Sequence, residues 1–215
     1  MKDQENYQEI NRLLWNKKTE AHVDTAFYNN KEFLSGKSSL NPIEINLLGQ
    51  VTNKTILHLQ CHFGQDTLSL ARMGAQTTGL DLSDKAIELA KSLNTKLGLN
   101  SEFICSDLYE APESLNGQFD IVFTSYGTIG WLPDLDQWAA VVNRCLKPGG
   151  KLIMVDFHPV VWMFDDEFTK FNYSYFNVVP IIEINQGTYA DRNADISAKE
   201  ISWNHSLSEV FQGLF

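Results

Sequence analysis

The sequence has few cysteines and few basic residues, and each shortage excludes a class of protein. Its 215 residues contain three cysteines, Cys61, Cys105 and Cys145, with no CxxC spacing. This pattern argues against a disulfide framework and against a zinc knuckle. Seventeen lysines and arginines stand against 27 acidic residues, and a net charge of −10 disfavours the basic face that phosphate binding requires. We therefore expect no nucleic-acid partner.

Long apolar runs are also missing from the sequence. No run approaches the ~20 residues that a membrane helix needs. The N-terminal residues, MKDQENYQEI, are polar and charged, without the apolar centre of a signal peptide. The basic residues are scattered, so no polybasic membrane patch is formed. We expect a cytoplasmic protein with reduced thiols and no membrane partner.

What the chain does contain is enough apolar material for one sizeable domain. Hydrophobic residues make up 43% and aromatic residues 12% of it, which rules out a disordered or fibrous class. Residues 1–45 are polar with helical spacing and predict an N-terminal helical appendage or lid. Residues 46–215 predict the core, with an aromatic-rich segment at 157–200.

From Lys54 onward, short apolar runs alternate with helical patterns. This alternation predicts an α/β fold with a doubly wound, mostly parallel sheet. We predict five strands, at residues 55–59, 77–80, 102–105, 119–124 and 151–157. Ser83 is predicted to cap the helix after the second strand, and Pro148-Gly149-Gly150 predicts a tight turn before the fifth strand.

Chemistry is expected at the carboxyl ends of these strands, where open α/β sheets bind their ligands. Asp81 ends the second strand, and such a carboxylate accepts hydrogen bonds from vicinal ribose hydroxyls. Asp107 follows the third strand, where an acid can meet the exocyclic amine of an adenine. The helix that follows the first strand offers its N-terminal N–H groups to the polar end of a ligand. Either aspartate could instead simply end a strand and cap a turn.

The segments GLDLS, CSDL, FDIVFTSYGTI and LKPGGKLIMVDF, between Thr55 and Pro159, resemble the class I S-adenosylmethionine-dependent methyltransferases. The resemblance implies a Rossmann-like methyltransferase fold, S-adenosyl-L-methionine as the cofactor, and methyl transfer to a small-molecule acceptor.

The same resemblance implies roles for individual residues. Asp81 would hold the ribose, with Leu82 packed on the adenine. Asp107 would meet the adenine amine, with Leu108 beside it. Tyr126 would lie near the sulfonium end.

The first loop departs from the family pattern of an acid followed by Gly-x-Gly-x-Gly. Here His58 takes the place of the acid, and Gln60 and His62 take the places of the first two glycines. Gly64 remains. The loop resembles a branch of the family that reads HLQCHFG followed by QDT, so Gln60, His62 and Gly64 are cofactor-binding candidates. The side chains of Gln60 and His62 nevertheless restrict how closely a ligand approaches the backbone.

Two histidine-based alternatives concern metal binding and catalysis. His58, Cys61 and His62 are potential zinc ligands, but no fourth ligand stands at a recognisable spacing, so we expect no metal. His158, at the end of the fifth strand, is a candidate general base, because an unperturbed histidine has a pKa near 6.5. A structural histidine before a proline is an equal alternative, and His205 is a weaker candidate.

Aromatic residues outside the strands have both functional and structural interpretations. The aromatic-rich segment forms the wall of an acceptor pocket or a flap packed on the sheet. Its members include Trp162, Phe164, Phe168, Phe171, Tyr173 and Tyr175. Near the N-terminus, Trp15, His22 and Tyr28 form a lid over the cofactor or simply pack between helices.

Two other functions stay open beside methyl transfer. One is a domain that binds S-adenosylmethionine without chemistry. The other is a nicotinamide-dependent oxidoreductase, which Gly64 and Asp81 would suit, but which requires a glycine-rich loop where this chain has Gln60 and His62.

The end of the chain carries a structural prediction. Methyltransferases of this kind continue past the fifth strand through a helix into a hairpin of two more strands. Here residues 178–184 and 198–203 are predicted as local strands before a helix at 206–215. We expect the closing hairpin to be missing, the fifth strand to be an exposed or separately covered edge, and a homodimer to be favoured.

Overall fold

A computed structural model describes residues 6–165 and 167–215 of the protein. Its centre is a sheet of five parallel strands, in the order β3-β2-β1-β4-β5. The strands are β1 (Thr55–Leu59), β2 (Gln76–Asp81), β3 (Glu102–Cys105), β4 (Phe119–Ser125) and β5 (Leu146–Val155). The strand order reverses between β1 and β4, as in a doubly wound sheet. The predicted fold class is confirmed.

Three helices connect these strands and cover the faces of the sheet. They are α4 (Gln65–Arg72), α5 (Asp84–Lys96) and α6 (Leu135–Cys145). The Ser83 side chain accepts a hydrogen bond from the Ala86 N–H and caps α5, which confirms the sequence prediction. Asp134 caps α6 in the same way, by accepting from the Gln137 N–H. Both caps satisfy donors that would otherwise lack partners at a helix start.

Strand β5 begins five residues earlier than predicted, and the predicted tight turn at Pro148-Gly149-Gly150 falls within its bounds. The strand begins at Leu146 and runs through Pro148-Gly149-Gly150 to Val155. Gly149 has a φ of +80°, and the pairing with β4 shifts register between Phe119 and Ile121. Residues 147–150 of β5 stand opposite Asp120 alone before regular pairing resumes at Lys151, so the left-handed glycine lies in a local irregularity of the strand at the predicted turn.

The core lies on both faces of the sheet. On one face, Trp138 of α6 is fully buried against β4. On the other, Phe63 and Phe103 pack between α4 and α5. Burial of such side chains contributes about 25 cal/mol per Å² of apolar surface and holds the carboxyl ends of the strands in fixed positions.

The N-terminal segment forms three helices, α1 (Tyr7–His22), α2 (Asn30–Leu34) and α3 (Pro42–Leu48). Helix α1 packs against α5 and also against β7 (Ser197–Ser202). The Asn11 Nδ2 donates to the Ile201 carbonyl oxygen at 2.7 Å, and the Ile201 N–H donates to the Asn11 Oδ1 at 3.0 Å. The side chain thus pairs with β7 as a neighbouring strand would.

The C-terminal part forms a second, smaller sheet. Strand β6 (Ile181–Gln186) pairs antiparallel with β7, and α7 (Leu207–Leu214) packs on α6. The two local strands and the last helix agree with the sequence prediction, with bounds shifted by a few residues. Across residues 6–165 and 167–215, no further strand joins the five-stranded sheet, so β5 is an edge. None of the helices in this described part combines the length and hydrophobicity needed to cross a bilayer.

Candidate functional site

The loop between β1 and α4 has an unusual backbone. Gln60 has a φ of +53°, His62 of +50° and Gly64 of +78°, so every second residue is left-handed. The left-handed conformation costs a non-glycine residue about 1–2 kcal/mol. The loop therefore keeps the shape that a glycine pattern supplies, with side chains at two of the three positions.

Packing explains why the third position is glycine. A Cβ on Gly64 would lie 2.6 Å from Cε1 of Phe103 and 3.1 Å from Cβ of Ala90. The first contact is shorter than real Cβ atoms show, and the second requires the neighbour to shift. Gly64 thus lets the start of α4 lie against the core, a structural requirement that stands beside its predicted cofactor role.

Asp81 lies at the end of β2, next to this loop. Its Oδ2 accepts from the His62 N–H at 2.7 Å, and its Oδ1 accepts from the Ser83 N–H at 2.8 Å. Burial raises the pKa of Asp81 to about 6, although these backbone hydrogen bonds oppose the rise. Each carboxylate oxygen has a second lone pair, and so Asp81 can accept further hydrogen bonds from a ligand.

One strand further, the structure places the predicted adenine-binding residues. The Asp107 Oδ1 accepts from the Tyr109 N–H at 2.8 Å, while Leu108 is buried in the core. Leu82 is partly buried and follows Asp81 directly. Sequence reasoning missed Tyr7 of α1, whose pKa rises to about 12 through burial and the negative charge of Asp107.

Tyr126 follows β4 with a φ of +51°. Its hydroxyl oxygen accepts from the Asn41 Nδ2 at 3.3 Å. Burial and the carboxylate of Glu44 raise the pKa of Tyr126 to about 12. Asp66 lies close by and accepts hydrogen bonds from two serine hydroxyls. Tyr126 thus lies beside two acids, Glu44 and Asp66, that sequence reasoning missed, because helix starts favour acids anyway.

His158 is exposed at the end of the β5 region. Its Nδ1 accepts from the Val160 N–H at 3.2 Å and caps a short 3₁₀ turn at Pro159–Met163. A structural histidine before a proline, the alternative to a general base, accounts for this hydrogen bond. Its role as a general base stays a prediction.

The suspected zinc ligands point in different directions. The His58 Nδ1 lies 2.8 Å from the Thr67 Oγ1 in the core, and Cys61 is buried among apolar side chains between α4 and α5. The His62 Nε2 lies 3.1 Å from the Nδ1 of His22. In the described residues, no group of three or more His, Cys, Asp or Glu side chains is placed to hold a metal.

Helix α1 lies over the loop after β1. The Trp15 ring meets the His62 ring at 5.3 Å, and the His22 ring stacks on Tyr28 at 5.1 Å. The Tyr28 and Tyr189 hydroxyls are hydrogen-bonded to each other. The aromatic residues that the sequence suggested as a lid are therefore brought together with the loop, and the segment after β6 completes the cover.

Buried polar atoms without partners lie in the loop after β1 and on the helix above it. They are Oε1 of Gln60, Nδ1 of His62 and Nε2 of His22, none of which meets a hydrogen-bond partner among the described residues. The Gln60 Nε2 donates to the Thr128 carbonyl oxygen at 2.8 Å, which fixes the orientation of the amide. Unpaired buried polar atoms are rare in native proteins.

Part of the chain is similar to known proteins. Residues 56–150 match the family model described as methyltransferase domain. An uncharacterized methyltransferase from Synechocystis sp. is 33% identical over 133 residues, or 61% of this chain and 60% of that protein. A ubiquinone biosynthesis O-methyltransferase from Saccharophagus degradans is 28% identical over 58% of this chain and 55% of that protein. The chain thus spans less than two thirds of these curated relatives.

Solved structures share the fold at low sequence identity. A crystal structure of an S-adenosylmethionine-dependent methyltransferase from Clostridium acetobutylicum aligns with a TM-score of 0.59 and 17% identity, over 94% of this chain and 83% of that one. Another, from Mesorhizobium loti, gives 0.57 and 20%, over 84% and 80%. Residues 56–150 are thus similar to a methyltransferase domain, and the fold around them is one that S-adenosylmethionine-dependent methyltransferases of known structure share.

Proposed function

We propose that the protein transfers a methyl group from S-adenosylmethionine to a small-molecule acceptor. The observation that carries the proposal is the Asp81 carboxylate, which lies at the end of β2 inside the matched domain. Two backbone N–H groups orient it, and its remaining lone pairs suit the two hydroxyls of a ribose.

The residues at this edge fit the rest of the cofactor. Asp107 and Leu108, one strand beyond Asp81, suit the amine and face of an adenine. On the other side, the unpartnered polar atoms of Gln60 and His62 suit a charged amino-acid end. When bound, the cofactor supplies an electrophilic methyl group, and the protein supplies alignment and a site that excludes water.

The acceptor would approach from the ends of β4 and β5. Tyr126 and Phe157 lie there, with ring centroids 5.7 Å apart, and both side chains are partly exposed. Asp66 is within hydrogen-bond distance of Ser125 in the same region. His158 would serve as the base where an acceptor must lose a proton.

Calorimetric titration with S-adenosylmethionine tests the cofactor assignment. Asp81→Ala should cost about 2 to 4 kcal/mol of binding, because two charge-assisted hydrogen bonds are lost. Glu88→Gln, which changes an exposed acid of α5, is the matched control and should bind normally. Equal binding by Asp81→Ala and the parent would refute the assignment.

The alternatives differ in what they bind and do. A domain that holds S-adenosylmethionine without chemistry would bind it yet release no labelled product with any acceptor in a radiolabelled methyl-transfer screen. A nicotinamide enzyme would bind NAD, and the side chains at Gln60 and His62 oppose the close backbone approach that a pyrophosphate requires.

We further propose a homodimer located in the cytoplasm. The free thiols of Cys61, Cys105 and Cys145 suit a reducing compartment. Strand β5 is a sheet edge in the described part of the chain, and Ile182 and Ile184 of β6 are exposed. A second copy covering such surface would bury it.

A further inference from the structure

We infer that Asp156 is a positioning residue that holds the turn after β4 (residues 126–128) and, through this turn, fixes Tyr126 and Gln60 relative to each other. The inference rests on the proposed function, which puts the acceptor beside Tyr126 and the cofactor beside the loop of Gln60. Asp156 follows directly on β5 and lies beyond residue 150, where the family match ends.

The turn after β4 has a backbone that must be held in place. Strand β4 ends at Ser125, and the next two residues are both left-handed, with a φ of +51° at Tyr126 and +71° at Gly127. Glycine adopts this conformation freely, whereas a tyrosine is strained in it. Such strain persists only where surrounding contacts hold the backbone. The Tyr126 N–H donates to the Val155 carbonyl oxygen at 2.8 Å, which secures only the first residue of the turn.

The Asp156 carboxylate binds the other two residues. Its Oδ1 accepts from the Gly127 N–H at 2.6 Å, and its Oδ2 accepts from the Thr128 N–H at 3.3 Å. The Oδ1 also accepts from the Phe157 N–H at 2.7 Å, which ties the carboxylate to the end of its own strand. A carboxylate makes stronger hydrogen bonds than a neutral acceptor does. The turn therefore gains more from Asp156 than it would from a carbonyl oxygen.

The same turn reaches the loop after β1. The Thr128 carbonyl oxygen accepts from the Gln60 Nε2 at 2.8 Å, and Thr128 is buried. On the acceptor side, the Tyr126 ring is partly exposed, and its centroid lies 5.7 Å from that of Phe157. A shift of the turn would thus move both sides of the site together. Because methyl transfer requires aligned reactants, Asp156 affects the reaction without touching either of them.

An asparagine at position 156 tests this role with little change of shape. An amide replaces one acceptor oxygen of the carboxylate with an NH₂ donor. In Asp156→Asn, the N–H of Gly127 or of Thr128 therefore faces another donor, and the turn should move. Asp120→Asn is the matched control, since Asp120 accepts from the Thr55 N–H at 2.8 Å near the opposite end of β4.

NMR of the ligand-free protein measures the effect directly. We expect Asp156→Asn to shift the side-chain amide resonances of Gln60 and the ring resonances of Tyr126, whereas Asp120→Asn should leave both in place. The Gly127 amide should exchange slowly with solvent in the parent, and about tenfold faster or more in Asp156→Asn. Unchanged Gln60 and Tyr126 resonances in Asp156→Asn, or equal shifts in both variants, would overturn the inference. Fast exchange of the Gly127 amide in the parent would also overturn it, and that measurement requires no variant to fold.

Ligand binding tests whether the turn matters to the site. In calorimetric titrations, Asp156→Asn should bind S-adenosylhomocysteine about 3- to 10-fold more weakly than the parent, because Gln60 is displaced. Asp120→Asn should bind it normally, although urea unfolding should show a loss of stability in both variants. Equal affinities of all three proteins would leave Asp156 with a merely structural role and overturn the inference. A parent that does not bind S-adenosylhomocysteine would instead refute the proposed function, while the NMR comparison would still decide what Asp156 does to the turn.

Discussion

At the residue scale, the loop after β1 has the backbone shape of a glycine-rich loop although Gln60 and His62 occupy two of the glycine positions. Gln60 and His62 keep left-handed dihedrals at a cost, and each then offers an unpartnered polar atom under α1. Strain of this kind concentrates where function requires it. Gly64 differs from them because its neighbours leave no space for a side chain.

Substitution of Gly64 separates strain from packing. Gly98 also has a positive φ, but a Cβ there would meet no atom within 4 Å. We expect Gly98→Ala to lower the free energy of unfolding by about 1 kcal/mol. Gly64→Ala should lower it by a further ~1–3 kcal/mol, because its Cβ would overlap Phe103. Urea unfolding of both variants measures the difference, and equal losses would contradict the packing argument.

The raised pKa of Asp81 predicts a pH dependence of ligand binding. The ionised carboxylate accepts the ribose hydrogen bonds, so affinity should fall as pH drops below about 6. Methylthioadenosine is the suitable ligand because it has no amino-acid end to titrate. Titrations between pH 5 and 8 should show the fall in the parent and a flat profile in Asp81→Asn. A flat parent profile would contradict the assignment.

The raised pKa of Asp81 also predicts that the folded protein becomes less stable as pH rises, whereas ligand binding should become stronger. The folded protein holds the Asp81 proton more tightly than the unfolded chain does. The contribution of Asp81 to the free energy of unfolding therefore decreases as pH rises from 3.8, the ordinary pKa of an aspartate, to about 6. The decrease is roughly 2 to 3 kcal/mol. Denaturant titrations across this pH range give the free energy of unfolding at each pH. Plotted against pH, it should fall more steeply for the parent than for Asp81→Asn, and equal slopes would show that Asp81 titrates normally.

At the element scale, α1 and β7 form a connection that closes the site. Asn11 bonds both backbone groups of Ile201. Nearby, Lys18 pairs with Glu200 at 3.2 Å, and its ammonium lies about 5 Å from the Trp15 and Trp131 rings. These contacts hold α1 above the loop after β1.

Loosening the connection should be measurable by hydrogen exchange. Asn11→Ala leaves two backbone groups of Ile201 unpaired in a buried place, which costs about 1–3 kcal/mol each if no water reaches them. Amides of α1 and β7 should exchange faster, while those of β1 and β4 stay protected. Lys17→Ala, an exposed change on the same helix, should leave exchange unchanged. Faster exchange throughout the sheet would instead indicate global destabilisation.

Sequence patterns predicted the local elements and not their long-range arrangement. The strands and caps follow from neighbouring residues, such as Ser83 before α5. The earlier start of β5 was missed because proline and two glycines usually signal a turn. The partnership of His22 with His62, 40 positions apart, and the site position of Glu44 depend on docking of the N-terminal helices. No local pattern encodes that docking. The roles of Asp81 and Asp107 stay predictions.

At the scale of the whole molecule, exposed apolar surface collects on the smaller sheet. Strand β6 turns Ile182 and Ile184 outward, at 42% and 70% exposure. Val178 and Val179, just before the strand, are also exposed. Contiguous surface of this kind favours association between chains.

A charge on this surface tests association. Ile184→Lys should shift the assembly toward monomer in sedimentation velocity, because a charged side chain would be desolvated at an interface. Lys151→Ala changes an exposed position of β5 and distinguishes the outer face of β6 from the β5 edge. It should alter the sedimentation only if the β5 edge is the interface. A parent that sediments as a monomer at all concentrations would contradict the proposed dimer.

The bond between Asn11 and Ile201 joins positions 190 residues apart, and this separation orders the events of biosynthesis. A ribosome makes the chain from its N-terminus at about 5–20 residues per second. The helix that covers the site is made among the first elements, but its partner strand emerges roughly ten seconds or more afterwards at that rate. In the later part of this interval the strands next to Asp81 and Asp107 have been made, while the connection cannot yet form. The nascent protein therefore passes through an open stage in which a nucleoside has direct access to the strand ends.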